Sequence, residues 1–233
     1  MMLCIDSGNT RLKWGLHHEG KWLESGVLPH VELARLSQVL PTHRISDGVI
    51  GCNVAGVAKA KQIEAALSLP VRWISAERQC CGVTNGYQDA SRLGADRWAA
   101  LIAAHALDRQ ATLVVLAGTA TTVDLLNADG IHQGGLIVPG LAMMLESLAI
   151  GTAGLPASRG NYQVKPTNTG DAIASGAIHA TIGAIQRMHG QLPCGAVCLL
   201  SGGAAEFLRP HLEMPIRCVD NLVLEGLARI AAG

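Results

Sequence analysis

The sequence predicts an α/β fold built twice over, as two mixed-sheet halves around a shared cleft, with residues 1–109 forming the first half and 110–233 the second. Three observations predict it. Each half opens with a short apolar strand, a turn of small polar residues and a second strand, so each begins with an antiparallel hairpin. Each then alternates helical and strand patterns, which adds parallel strands to the same sheet. The two halves have this order in common over a period of about a hundred residues, without obvious sequence identity. A purely parallel, doubly wound sheet is disfavoured because it has no place for two opening hairpins.

Taken in order, Leu3, Cys4 and Ile5 read as a buried strand that meets a turn at Asp6-Ser7-Gly8-Asn9-Thr10. The alternating run 11–16 follows, then a Glu19-Gly20 turn and a third strand at 21–28. Residues 31–40 and 57–67 have helical spacing, and 49–51 and 71–74 read as short strands. Residues 91–107 form a strong helix pattern, with Trp98, Leu101, Ile102 and His105 on one face. The second half repeats the opening with a strand at 112–116, the turn Ala117-Gly118-Thr119-Ala120-Thr121, and a strand at 122–126. A hairpin signal at Ala128-Asp129-Gly130 precedes a strand at 135–138 and a helix at 141–150. A long helix spans 169–189, strands fall at 197–200 and 216–219, and the chain closes in a helix over 221–232. Met143 and Met144 are read as core filling.

Composition narrows the function. Apolar residues make up 49% of 233, enough for a real core. Lys+Arg and Asp+Glu both number 18, so no global positive field exists to attract a nucleic-acid backbone or an anionic membrane. No apolar run reaches the length of a membrane helix, and the Met-Met-Leu-Cys-Ile start, met at once by Asp6, lacks the pattern of a signal peptide. Seven cysteines without a CxxC pair suit a reducing compartment, and the expected location is the cytoplasm. The nine histidines show no metal-binding spacing.

Five segments carry candidate chemistry. The Asp6–Thr10 turn can aim backbone N–H groups and hydroxyls at phosphate oxygens, with Asp6 placed to hold a nucleotide's magnesium through water. Residues 117–122 repeat that chemistry with threonine hydroxyls. Gly94-Ala95-Asp96-Arg97 sets a carboxylate beside a guanidinium at the start of a helix, where an ionised Asp96 can accept a hydroxyl proton. Asn168-Thr169-Gly170-Asp171 reads locally as a helix cap, and Leu200-Ser201-Gly202-Gly203 as a strand ending in glycines that admit a flat base or ribose. Each has an ordinary structural reading as well: a hairpin turn, an ion pair, a cap. Neither a GxxxxGK[ST] loop nor a GxGxxG turn is present, which excludes the commonest phosphate-binding loops.

The two Gly/Thr turns at matching places resemble the phosphate-binding hairpins of actin-like (ribonuclease H-like) ATPases. DSGNTRLKW, GADR, GTATT, GGLIVPG, NTGDAI, LSGG and LVLEGL, in that order from residue 6 to 227, resemble the type III pantothenate kinases. The resemblance implies phosphorylation of pantothenate by ATP with Mg2+, the first step toward coenzyme A, in a homodimer. It implies ATP contacts from Asp6, Ser7, Gly8, Asn9, Thr10, Arg11, Leu12 and Lys13, and from Thr119. It implies substrate contacts from Tyr87, Gly94, Ala95, Asp96 and Arg97, with Asp96 as the proton acceptor, from Thr169 across the dimer interface, and an adenosine border at Gly202 and Gly203. The resemblance also implies a monovalent cation, K+ or NH4+, which family members often hold with an aspartate three residues before the threonine of GTA; Leu116 stands there and offers no side-chain oxygen, so a cation site would need other oxygens. The alternatives are a kinase-related regulator of transcription and an actin-like kinase for another small hydroxylated substrate.

Overall fold

The computed structural model describes residues 1–40, 42–152, 154–155 and 160–233. Two compact units emerge from its contacts. One comprises 1–109, 129–133 and 221–233, the other 110–128 and 134–220.

The first unit starts with β1 (Met2–Ser7), β2 (Arg11–His18) and β3 (Lys21–Pro29), an antiparallel meander. A 3-10 turn and the short α1 (Leu36–Val39) lead to β4 (Val49–Asn53), α2 (Val57–Leu67) and β5 (Val71–Trp73). β4 pairs parallel with β1 and β5 parallel with β4, giving the order β3-β2-β1-β4-β5. Side chains alternate across this sheet. Leu3, Ile5, Leu12 and Trp14 pack with Leu36, Ile63 and Leu67 in one buried cluster, while Cys4 lies between them in sequence and outside that cluster. A small hairpin, β6 (Gln79–Cys80) and β7 (Val83–Thr84), precedes α3 (Ala95–Leu107), whose residues 97–105 are all buried.

The second unit repeats the plan. β8 (Thr112–Ala117) and β9 (Ala120–Leu126) form its opening hairpin, and β10 (His132–Pro139), whose first two residues group with the first unit, lies beside β9. α4 (Leu141–Gly151) and the long α5 (Thr169–His189) follow, then β11 (Val197–Ser201), α6 (Ala205–Leu208) and β12 (Ile216–Cys218). The order is β10-β9-β8-β11-β12, strand for strand the order of the first sheet. Leu113, Val115, Val123, Leu125, Ile178, Ile182, Ile185 and Leu200 fill its core. The fold is α/β with two mixed five-stranded sheets.

Two features differ from the sequence reading. The closing helix α7 (Leu222–Ala232), placed by sequence in the second half, packs against α3 and β1 in the first unit. Gly226 makes this possible: a Cβ there would lie 1.9 Å from the Ala99 carbonyl oxygen, so only glycine lets the helices approach so closely. Met143 and Met144 are not core residues, since no residue of α4 is buried. Among the described residues no helix is long and apolar enough to cross a membrane, and no three His, Cys, Asp or Glu side chains gather as a metal site.

Candidate active site

In the first unit the expected residues cluster at the end of β1. Asp6 stands opposite Lys13 on β2 and opposite Cys52 on β4. The Cys52 thiol donates to Asp6 Oδ1 at 3.4 Å. Burial first, and then the negative charge of Asp96, push the Asp6 carboxyl up to about 6, against the opposing pull of Lys13 and of the thiol hydrogen bond. Burial, reinforced by Asp6, likewise drives the Cys52 thiol well above its ordinary range. The negative charge of Asp96 thus bears on Asp6, with Lys13 opposing it. Gly8 is half-buried, and Asn9 and Thr10 are exposed at the turn.

Asp96 lies in the first turn of α3, where the helix N-terminus favours negative charge. Its Oδ1 accepts the Arg97 backbone N–H at 2.8 Å. The carboxylate folds back over Gly94, where a Cβ would lie 2.6 Å from Oδ1. Glycine at 94 therefore leaves room for that rotamer. Arg97 is almost fully buried; its Nη1 donates to the Tyr87 hydroxyl at 2.7 Å, and its guanidinium carbon lies 5.5 Å from the Tyr87 ring centre.

Three residues that sequence reasoning passed over build this segment. Arg78 donates to the carbonyls of Asn85, Tyr87 and Gln88, each at 3.0 Å. The buried Asn85 donates to Ala90 O at 3.0 Å and accepts the Tyr87 N–H at 3.0 Å. His132 stacks on the Tyr87 ring at 5.6 Å and 26°. These residues act through carbonyls or ring faces, which leave no spacing pattern to read.

In the second unit three motifs meet at one turn. Gly118 and Thr119 join β8 to β9, and Thr119 is exposed. Gly140, from the end of GGLIVPG, donates its N–H to Thr119 O at 2.9 Å, and a Cβ on it would lie 2.2 Å from Gly118 O. Gly202, of LSGG, has φ of 110°, and a Cβ there would lie 2.4 Å from Ala117 O. Ala204 donates to the same carbonyl at 3.1 Å. The glycine pattern is thus the condition for packing three backbone segments at one turn. Leu116 occupies in β8 the place Asp6 occupies in β1; it pairs with Thr122 and Ser201 and supplies no side-chain oxygen. Thr169 is the first residue of α5, capped by Asn168, whose side chain accepts the Asp171 N–H at 2.9 Å.

A sequence model of the type III pantothenate kinase family matches residues 2–191. The chain belongs to the type III pantothenate kinases. It is 51% identical over 238 residues to the type III pantothenate kinase of Aromatoleum aromaticum, covering 99% of this chain and 98% of the relative. It is 48% identical over 235 residues to that of Dechloromonas aromatica, covering 99% of both. Among solved structures, component A of the (R)-2-hydroxyglutaryl-CoA dehydratase of Acidaminococcus fermentans aligns over 99% of this chain and 95% of its own, with a TM-score of 0.59 at 12% identity, a likeness of fold alone. The fold is that of the actin-like ATPases. As a type III pantothenate kinase, the chain phosphorylates pantothenate with ATP, the first step of coenzyme A biosynthesis.

Proposed function

We propose that Asp6 through Lys13 bind the triphosphate of ATP, with Thr119 at the matching turn of the second unit as a further phosphate contact and Gly202 and Gly203 bordering the adenosine. Tyr87 and Gly94 through Arg97 bind pantothenate. Asp96 takes the proton of its primary hydroxyl as that oxygen attacks the γ-phosphorus and the bond from the γ-phosphorus to the bridging oxygen breaks to release ADP. What supports this reading is that α3, with Asp96 in its first turn, packs against β4, whose Cys52 stands opposite Asp6, and the Asp96 charge raises the Asp6 carboxyl. The proton acceptor and the phosphate turn thereby belong to one electrostatic site. Asp6 suits the Mg2+ that accompanies ATP, which supplies positive charge to the phosphate oxygens. Leu116 does not fit the family's monovalent cation, and no step is assigned to K+ or NH4+. The protein works in the cytoplasm, the reducing compartment that seven cysteines without a CxxC pair suit.

The test of the pantothenate segment is Tyr87→Phe. It removes the hydroxyl that accepts from the buried Arg97, so this charge-assisted hydrogen bond is lost. The expected result is a rise of about tenfold in KM for pantothenate with KM for ATP unchanged. Equal KM values for pantothenate in both proteins would remove Tyr87 from the binding role.

The working form is a homodimer in which Thr169 reaches the neighbouring subunit's substrate. α4 is rich in Leu, Met and Ile yet buries none of its residues, and Ile150 is 87% exposed. Ile137 on β10 is 63% exposed. A groove of about 810 Å³ runs beside α4, lined by Met144, Leu148, Thr169, Ile173 and Gly176 among others. Exposed apolar surface of this kind marks an interface, and the presence of Thr169 on the groove wall favours a second copy. Ile150→Glu is expected to shift the protein from dimer to monomer in sedimentation and to lower turnover with pantothenate at least tenfold. A variant that remains dimeric, or a fully active monomer, counts against this arrangement.

A further inference from the structure

A turn that offers its N–H groups to phosphate must turn its carbonyls elsewhere, and each such carbonyl needs a donor. Residues 8–10 join β1 to β2, and two of their three carbonyls are held by one residue outside the motif. His30 Nε2 lies 2.6 Å from the Gly8 carbonyl oxygen. The His30 backbone N–H donates to the Thr10 carbonyl at 3.3 Å. A carbonyl only accepts, so Nε2 carries the proton of the first bond. Nδ1 is buried with no hydrogen-bond partner among the described residues, so the ring's polar contact is directed to the turn.

The approach is fixed by the chain itself. Pro29, the last residue of β3, pairs with Arg11 just past the turn and has φ of −59°. Its ring limits φ, which narrows the directions in which the chain can present His30 to Thr10 and Gly8. We propose that His30 is a positioning residue for the phosphate turn. It turns the Gly8 and Thr10 carbonyls away from the triphosphate, so that the N–H groups of the turn are preorganised to receive it. His30 touches no substrate; it acts through the backbone of residues 8–10. The inference rests on the reading that this turn binds ATP.

Two substitutions and one control test it in the full-length protein. His30→Phe keeps the ring's bulk and removes the donor. His30→Gln restores an N–H donor at a similar reach. Binding of a fluorescent ATP analogue, KM for ATP, KM for pantothenate, kcat and melting temperature are measured for each. For His30→Phe we expect analogue Kd and ATP KM to rise about tenfold, with kcat and pantothenate KM within about twofold. His30→Gln should bring the ATP values back to within about threefold of the parent protein. A purely structural histidine would lower the melting temperature and shift both KM values together, and that result overturns the proposal. So does an unchanged ATP KM in His30→Phe, or a glutamine variant no better than the phenylalanine one. Lys13→Ala separates the two levels. If it weakens the analogue and His30→Phe does not, only the clamp is wrong. If Lys13→Ala also binds the analogue normally, the turn is not the ATP site, and both readings fall.

Discussion

Asp96→Asn is expected to lower kcat by about 10²- to 10⁴-fold, the range that a positioned general base contributes, while KM for ATP stays within a few fold. Asparagine has the shape of aspartate and retains an oxygen to accept the Arg97 N–H, now made by Asp96 Oδ1 at 2.8 Å. It also fits over Gly94, where the structure leaves space for the side chain. What it cannot do is take a proton. An effect confined to kcat, with substrate binding retained, is therefore the signature of the lost base rather than of a lost fold. Because the Asp96 charge also raises the Asp6 carboxyl, the same substitution should lower the Asp6 pKa, which a pH titration of the variant can follow. Turnover within tenfold of the parent enzyme would exclude Asp96 as the base and leave proton transfer to water or to the phosphate itself.

Much of the fold was legible because its instructions are local. The Asp6–Thr10 and Gly118-Thr119 turns sit between alternating apolar runs, and a small polar turn between such runs dictates a hairpin. The repeated order of elements then pointed to a repeated sheet, while the common strand order appears only in the structure. Two placements were not legible, for one physical reason: an apolar pattern says that a helix must be covered without saying by what. α7 has a clear apolar face, yet it takes the packing on α3 and β1, with Gly226 against Ala99, to show that this face belongs to the first unit. α4 is more apolar still, and the reading of Met143 and Met144 as core assumed cover that the described residues do not provide. The site divides similarly. Residues that would meet substrate lie in compact motifs, while Arg78, Asn85, His132 and His30 hold those motifs through backbone carbonyls and ring faces. Such work is done across chain separations set by the fold, and no run of neighbouring residues encodes it.

Asp6→Asn is expected to stabilise the ligand-free protein at neutral pH while removing most of its activity. The folded Asp6 carboxyl is raised from 3.8 to about 6, chiefly by burial. Between those two values the folded chain binds more protons at this group than the unfolded chain does. Stability contributed by Asp6 therefore falls as pH rises through that window and reaches its full deficit above about pH 6. A shift of about two units corresponds to at most about 3 kcal/mol, or several degrees of melting temperature for a protein of this size. Asparagine has no charge to bury. With a chelator present and no nucleotide, the melting temperatures of the two proteins should nearly coincide at pH 4, diverge between pH 4 and 6, and remain apart at pH 8 with the variant higher. Adding Mg2+ and ATP should narrow or reverse the difference, since only the parent protein gains the full free energy of binding. A difference that is constant with pH would mean that Asp6 is not held protonated by its surroundings. A variant that gains as much from Mg2+ and ATP as the parent would mean that the cost of burying this carboxylate is not recovered at the nucleotide. The two readouts together separate the electrostatic strain of the empty site from its use when the site is filled.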